Sequence, residues 1–250
     1  MGLILCATQR CGSTMIMEDM RNTGVLGQPE EWFLPWDPAN ETVDWADALQ
    51  SVLRRASDPQ GGQAIKIMAN QLAPTDACLS RVLPPRGTSG FAHLFAGFAD
   101  WNWVFITRQD LVLQAISRVM SKQTGINHAT GHRDQDHFAG NLARGYDAEY
   151  NARTVYRYAD ILAQCTAITL ENLLWEDFFR ANDITPLRLR YEDVAADADM
   201  QHLDRMAALA GQGGPLPKRP RVMVKLGNRL NHDWRARFFR DAQTHGFRPK

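Results

Sequence analysis

No apolar run in the 250-residue chain approaches the ~20 residues of a membrane-spanning helix, so no transmembrane segment is expected. An excess of one charge is missing too. The 28 Lys and Arg match the 28 Asp and Glu, which removes the basic surplus of a general nucleic-acid or membrane-surface binder. Cysteine is scarce: Cys6, Cys11, Cys78 and Cys165 lack the paired spacing of a zinc site. Met1 to Thr8 has neither a basic leading stretch nor a small-residue cleavage site and is not read as a signal peptide. The thiols are accordingly read as reduced, and the location as cytoplasmic. What remains, with 44% hydrophobic residues, is the composition of an ordinary globular enzyme. At roughly 150 residues per domain, and with no internal repeat or clear boundary, the chain reads as one domain, 1–250. About three-quarters of the unfolded surface of such a chain is buried on folding, so no staple is needed.

Short apolar runs punctuate the sequence. Leu3 to Thr8, Ala64 to Met68, Trp103 to Thr107 and Leu187 to Tyr191 read as strands, the first three too apolar for a solvent-facing sheet. Between them, helices are expected over Met15–Arg21, Thr42–Arg55, Asp110–Gln123, Met200–Ala210 and Asn231–Thr244, with Asn231 as N-cap of the last. A long helical signal, one helix or two, covers about Asp147 to Ala181. Residues 30–40 and 84–90 read as loops, 126–141 as a polar mobile segment and 213–220 as a linker. Strands alternating with helices imply an α/β fold with a central, mainly parallel sheet covered on both faces.

Ligands of such sheets bind beyond the carboxyl ends of the strands. The first strand runs into Gln9-Arg10-Cys11-Gly12-Ser13-Thr14 and then a helix. Gly12 permits close backbone approach, and the helix start offers N–H donors and a positive dipole end to a phosphate. Taken alone, Gly-Ser-Thr is more often an ordinary helix start. The loop is too short for the ATPase type and carries no Lys before Ser13. The third strand ends at Thr107-Arg108-Gln109-Asp110, ahead of Ser117 in the next helix. Arg108 and Ser117 suit a second phosphate, so the ligand carries phosphate in two places.

At these residues the chain resembles the bacterial carbohydrate sulfotransferases typified by trehalose 2-sulfotransferase. Ala7-Thr8-Gln9-Arg10-Cys11-Gly12-Ser13-Thr14, Thr23-Gly24-Val25 and Gly27-Gln28-Pro29-Glu30-Glu31-Trp32-Phe33 carry the likeness. Arg108-Gln109-Asp110, Gln114 to Ser117 and Gln123-Thr124 add to it, with weaker echoes at Lys66, Tyr191-Glu192-Asp193 and Asp233-Trp234. The resemblance implies a sulfotransferase-type phosphate-loop fold and the donor 3′-phosphoadenosine-5′-phosphosulfate (PAPS), leaving as adenosine 3′,5′-bisphosphate. It implies that Arg10, Cys11, Gly12, Ser13 and Thr14 cradle the 5′-phosphosulfate, that Arg108 and Ser117 hold the 3′-phosphate, and that Tyr191 and Lys225 border the cofactor. It makes Glu31 the general base on the acceptor hydroxyl. Gln9, Gln28, Pro29, Glu30, Trp32, Phe33 and Trp36 become acceptor candidates, the acceptor being a carbohydrate or glycolipid. It also implies a homodimer. Gln28 stands where the family has Glu, and Cys11 where it has Ser.

Other residues have plainer readings beside the functional ones. Trp32 and Trp36 suit either a sugar ring or the core. Lys66, inside an apolar strand, needs an anionic partner, whether phosphosulfate or carboxylate. The spacing of His128, His132 and His137 with Asp134 and Asp136 matches no ligand pattern, so no metal is expected. Arg188 and Arg190 alternate along a strand and read as a solvated edge. Rival readings are a nucleotide-dependent phosphotransferase and a non-catalytic sugar-binding protein of the same fold.

Overall fold

Leu3-Ile4-Leu5-Cys6-Ala7 carries no charged or hydroxyl side chain, and all five residues are buried, as for a strand covered on both faces. In the structure, a computed structural model that describes residues 2–88 and 90–244, this segment is strand β1 (Leu3–Ala7). There follow α1 (Ser13–Thr23), α2 (Trp45–Ala56), β2 (Ala64–Met68), a 3-10 turn (Ala69–Gln71), α3 (Leu72–Leu79), α4 (Ala92–Phe98) and β3 (Asn102–Thr107). The remainder comprises α5 (Leu111–Thr124), β4 (His128–Thr130), β5 (Leu142–Ala143), α6 (Tyr158–Ala181), β6 (Leu187–Arg190), α7 (Tyr191–Ala196), α8 (Gln201–Leu209), β7 (Met223–Val224) and α9 (Arg229–Thr244). The elements group into two compact units, Met1–Thr107 with Glu171–Arg219 and Arg108–Leu170 with Pro220–Lys250.

The first unit holds a parallel sheet in the order β2-β1-β3-β6. This is the expected α/β architecture, flanked by helices. Register pairs Leu5 with Lys66 and Val104, and Ala7 with Met68. The loops after β1 and β2 therefore leave from the same, carboxyl end of the sheet. A core of Ile4, Ile65, Phe98, Phe105, Trp175 and Phe178 joins sheet to helices. Trp175 Nε1 donates to the Ala7 carbonyl at 3.1 Å, which satisfies the buried indole and holds the end of β1. At one sheet edge, Lys66 N–H donates to the Glu30 carbonyl at 3.0 Å. The 28–31 segment thus covers part of an edge that would otherwise be open for pairing. Asp58 fixes the neighbouring turn, accepting from the Gly27, Gln60 and Gly62 N–H groups at 2.7, 2.8 and 3.0 Å.

The second unit packs α5 and α9 with the first part of α6 around Ile116, Met120, Ile161, Ile168, Trp234 and Phe238. A small sheet in the order β5-β4-β7 lies in the same unit. Part of the segment expected to be a mobile loop is therefore strand, because β4 pairs with both β5 and β7.

Other boundaries also differ from expectation, each for an identifiable reason. The helix expected from Thr42 starts at Trp45, since Asp44 Oδ1 caps the Ala46 and Asp47 N–H groups at 3.0 Å. Asp147 to Arg157 is not helical: Val155 pairs its N–H and C=O with the Gln123 amide, and buried Asn151 bonds Asn228. Asn231 is not the cap of α9. Asn228 Oδ1 accepts from the Leu230 N–H at 3.1 Å, and Asn231 is buried inside the helix with its Oδ1 accepting from the Asn228 N–H. Tyr191 opens α7 instead of ending the fourth strand. α3 and α4 were not anticipated; their short sequences show little amphipathic pattern, and the Asp76 carboxylate starts α4 by accepting from the His93 and Leu94 N–H groups. Residue 89, within the expected 84–90 loop, lies outside the described residues.

Candidate active site

The loop leaving β1 turns sharply: Arg10 has φ 66° and Gly12 φ 91°, both left-handed. Glycine is required at 12 twice over, because a Cβ there would also lie 2.2 Å from the Tyr191 ring. Tyr191 therefore packs directly on the loop. The helix begins at once, with Met15 N–H donating to the Gly12 carbonyl at 3.1 Å. Gly12, the N-cap, has no side chain to cap the helix, and Ser13 and Thr14 are buried beside it. This leaves a helix start with the donors and dipole end suited to an anion. Cys11 is buried, and burial pushes its thiol up, offset in part by hydrogen bonds at Thr8 and Ser13 and by the charge of Lys66. A thiolate nucleophile is not what this position favours. All four cysteines are free and buried.

Lys66 lies in the middle of β2 and is buried, so its ammonium needs a partner. It finds Glu31, with Nζ 2.8 Å from Oε1. The other carboxylate oxygen accepts from Gln71 Nε2 at 2.7 Å. Gln71 comes from the 3-10 turn that follows β2 and is buried as well. Both oxygens of Glu31 are thus held by donors carried on one strand and its turn, while the side chain stays 29% exposed. The Lys66 charge, felt at Cys11, ties this cluster to the loop after β1.

The neighbours of Glu31 divide into two groups. Phe33 is buried in the core, with Trp36 and Phe98 edge-on to it at 4.7 and 5.9 Å. Trp36 also meets Trp45. Trp32 is half-buried; its Nε1 donates to the Gln28 carbonyl at 3.0 Å, and the Arg55 guanidinium lies 4.1 Å from its ring centre. Arg21, on α1, reaches the Pro29 carbonyl at 3.3 Å and the Glu30 carboxylate at 3.5 Å. It thereby links α1 to the segment that carries Glu31. Pro29 is buried, Gln28 half-buried and Gln9 exposed.

Arg108, Ser117 and Lys225 belong to the second unit, the first two half-buried and Lys225 exposed. Asp110, next to Arg108, is structural: it caps α5 through the Leu113 N–H at 2.9 Å and accepts from Arg235 Nε at 2.8 Å. A concavity of about 280 Å³ on the β6 side of the first unit is lined by Arg188, Arg190 and Arg205. Arg188 and Arg190 are already engaged by Glu176 and Asp193, and the concavity does not include Glu31 or Lys66.

Gln71 is the member of the cluster that sequence reasoning missed. The available signal was its position, three residues past an apolar strand, at the carboxyl end where parallel sheets bind ligands.

The site thus combines the carboxyl end of a parallel sheet, a loop that requires glycine at 12 and a carboxylate held by Lys66 and Gln71. The chain belongs to the Stf0 sulphotransferase family, whose model matches residues 2–241. It is similar to the trehalose 2-sulfotransferase of Mycolicibacterium smegmatis, at 25% identity over 97% of this chain and 96% of that protein. It is also similar to the trehalose 2-sulfotransferase of Mycobacterium tuberculosis, at 23% identity over 97% of this chain and 96% of that protein. No described helix is long and apolar enough to cross a membrane.

Proposed function

We propose that the protein transfers a sulfuryl group from PAPS to a carbohydrate or glycolipid hydroxyl, with Glu31 as general base, and that residues 1–250 work as one sulfotransferase domain. The observation that carries this reading is the Glu31 carboxylate held by Lys66 and Gln71, beside an anion-binding helix start, in a chain of the Stf0 family. Glu31 takes the proton of the acceptor hydroxyl as that oxygen bonds to sulfur and the bond from sulfur to the 5′-phosphate oxygen breaks. The loop donors of Arg10 to Thr14, with the helix dipole, receive the charge that returns to the phosphate. Lys66 adds a cation next to the base, and its charge reaches the loop after β1.

Support for the donor is of two kinds. The helix start after β1, with Tyr191 packed on Gly12, fits a 5′-phosphosulfate with a ring beside it. Arg108 and Ser117 are assigned the 3′-phosphate, and Lys225 a position bordering the donor, from the order of the family's motifs. On the acceptor side, Gln9, Gln28, Glu30 and Trp32 remain candidates, with Pro29, Phe33 and Trp36 shaping the segment from below. A sugar acceptor is favoured because both relatives are trehalose 2-sulfotransferases. A cytoplasmic homodimer completes the reading. Leu162, Leu170 and Leu173, all exposed on α6, are the apolar surface that a second copy would cover.

The test is transfer of label from ³⁵S-PAPS to disaccharides, glycolipids and lipopolysaccharide fragments, together with thermal shifts for two nucleotides. Adenosine 3′,5′-bisphosphate should raise the melting temperature and ATP with magnesium should not; stabilisation by ATP alone would reject the reading in favour of a phosphotransferase. Arg108→Ala should weaken bisphosphate binding by roughly 1.5–3 kcal/mol, the scale of a hydrogen bond to a charged group.

A further inference from the structure

We infer that Gln71 is the positioning residue of the reaction, an amide whose two ends are used so that Glu31 can face the acceptor in one orientation. The inference rests on Glu31 being the base. Gln71 Oε1 accepts from the Met68 N–H at 3.1 Å, the last residue of β2, and its Nε2 donates to Glu31 Oε2 at 2.7 Å. The amide cannot be flipped without setting two donors against each other at Met68 and two acceptors against each other at Glu31. Its orientation is therefore settled by its partners, and the side chain is 4% exposed, so water does not readily replace either contact.

The chemistry of the pair explains why a neutral donor belongs there. Lys66 lies 2.8 Å from Oε1. A carboxylate with only that partner is free to turn and fork both oxygens on the ammonium, which points its remaining lone pairs at Lys66. Gln71 prevents the turn by holding Oε2 from another direction. It does so as a neutral donor, without adding a second positive charge beside the carboxylate. Each oxygen retains lone-pair capacity for an acceptor hydroxyl. Because general-base efficiency depends on reach and alignment before anything else, the loss of Gln71 should fall on turnover and leave donor binding alone.

Two substitutions separate this role from a structural one. Gln71→Glu keeps the acceptor for the Met68 N–H but turns the contact with Glu31 into carboxylate against carboxylate. Gln71→Met keeps the volume and removes both contacts. The expected result is a drop in kcat of about 10- to 100-fold in both, with the dissociation constant for adenosine 3′,5′-bisphosphate within about two-fold of wild type. The Gln71→Glu defect should shrink as the pH falls, because the introduced carboxyl, once protonated, regains an O–H donor for Glu31. A residue that merely secures the turn after β2 would instead leave Gln71→Glu at wild-type kcat at every pH and damage only Gln71→Met, and that outcome overturns the inference. Should Gln71→Met fail to fold, the pH profile of Gln71→Glu decides alone. Wild type and Glu31→Gln run alongside as controls. If wild type transfers no sulfuryl group, the functional reading falls and this inference with it; if wild type is active, Glu31→Gln is inactive and Gln71→Glu is unimpaired, this inference alone is wrong.

Discussion

The two outer strands of the four-stranded sheet carry the same kind of chemistry and use it for opposite ends. β2 reads Ala-Ile-Lys-Ile-Met and is buried throughout; its one cation, Lys66, meets Glu31 at 2.8 Å with side-chain exposures of 4% and 29%. β6 reads Leu-Arg-Leu-Arg and alternates; Arg188 meets Glu176 at 2.6 Å with exposures of 55% and 38%. Distance does not distinguish the pairs. Solvent does. On β6 the charges are hydrated whether or not they meet, so the pair chiefly keeps the edge soluble and discourages further strand pairing. On β2 the ammonium is buried away from water, so its charge beside Glu31 is screened far less than the pair on β6.

That contrast predicts a graded set of outcomes. The largest effect belongs to Glu31→Gln. Turnover in the labelled-sulfate assay should fall by about 10²–10⁴-fold, the usual worth of a general base. Calorimetric titration with adenosine 3′,5′-bisphosphate should find binding unchanged, because the amide leaves the loop after β1 intact. Unimpaired turnover would make β2 as ornamental as β6.

Lys66→Met comes next. The isostere strands a carboxylate that is partly open to water, so the loss of stability should be about 1–3 kcal/mol, below the full cost of breaking a wholly buried pair. Urea denaturation measures it, and donor binding should weaken in parallel.

Between the edges lies Gly12, whose φ of 91° and contact with Tyr191 give a purely steric penalty. Gly12→Ala should cost about 1–3 kcal/mol. Adding Tyr191→Ala should return part of that, since it relieves the collision and leaves the backbone strain.

The smallest effect is expected at Arg188→Ala, about 0–1 kcal/mol at neutral pH and vanishing in concentrated salt. Hydrogen bonding from Arg188 holds the Glu176 carboxyl below the ordinary carboxylate value. The pair therefore contributes fully above that ordinary value, and its contribution is lost as the pH falls through the lowered one. Urea midpoints of wild type and variant should converge on acidification. A gap that widened in acid would mean that β6 is not the solvated edge described here.

Much of this could be read from residues in order. The four strands of the larger sheet, the glycine in the loop after β1 and the need of Lys66 for an anionic partner all follow from apolar runs, one tight turn and one misplaced charge. The burial of Phe33 and the bonds of Trp32 could not be read, since an aromatic beside a carboxylate suits core and ligand alike. Nor could the non-helical 147–157 stretch, where Asn151 and Val155 surrender their bonds to Asn228 and Gln123. Local propensity loses wherever a distant partner offers the backbone a better bond.

Sequence alone therefore determined the strands of the four-stranded sheet, the loop that demands glycine and the isolation of Lys66, because each depends on neighbours a few positions away and on the cost of burying what cannot be hydrated. Tertiary structure decided that Lys66 and Gln71 close on Glu31 across 35 and 40 positions of chain. Only the folding of the 28–31 segment along β2 fixes which donors reach that carboxylate, and no local periodicity encodes a contact of that range.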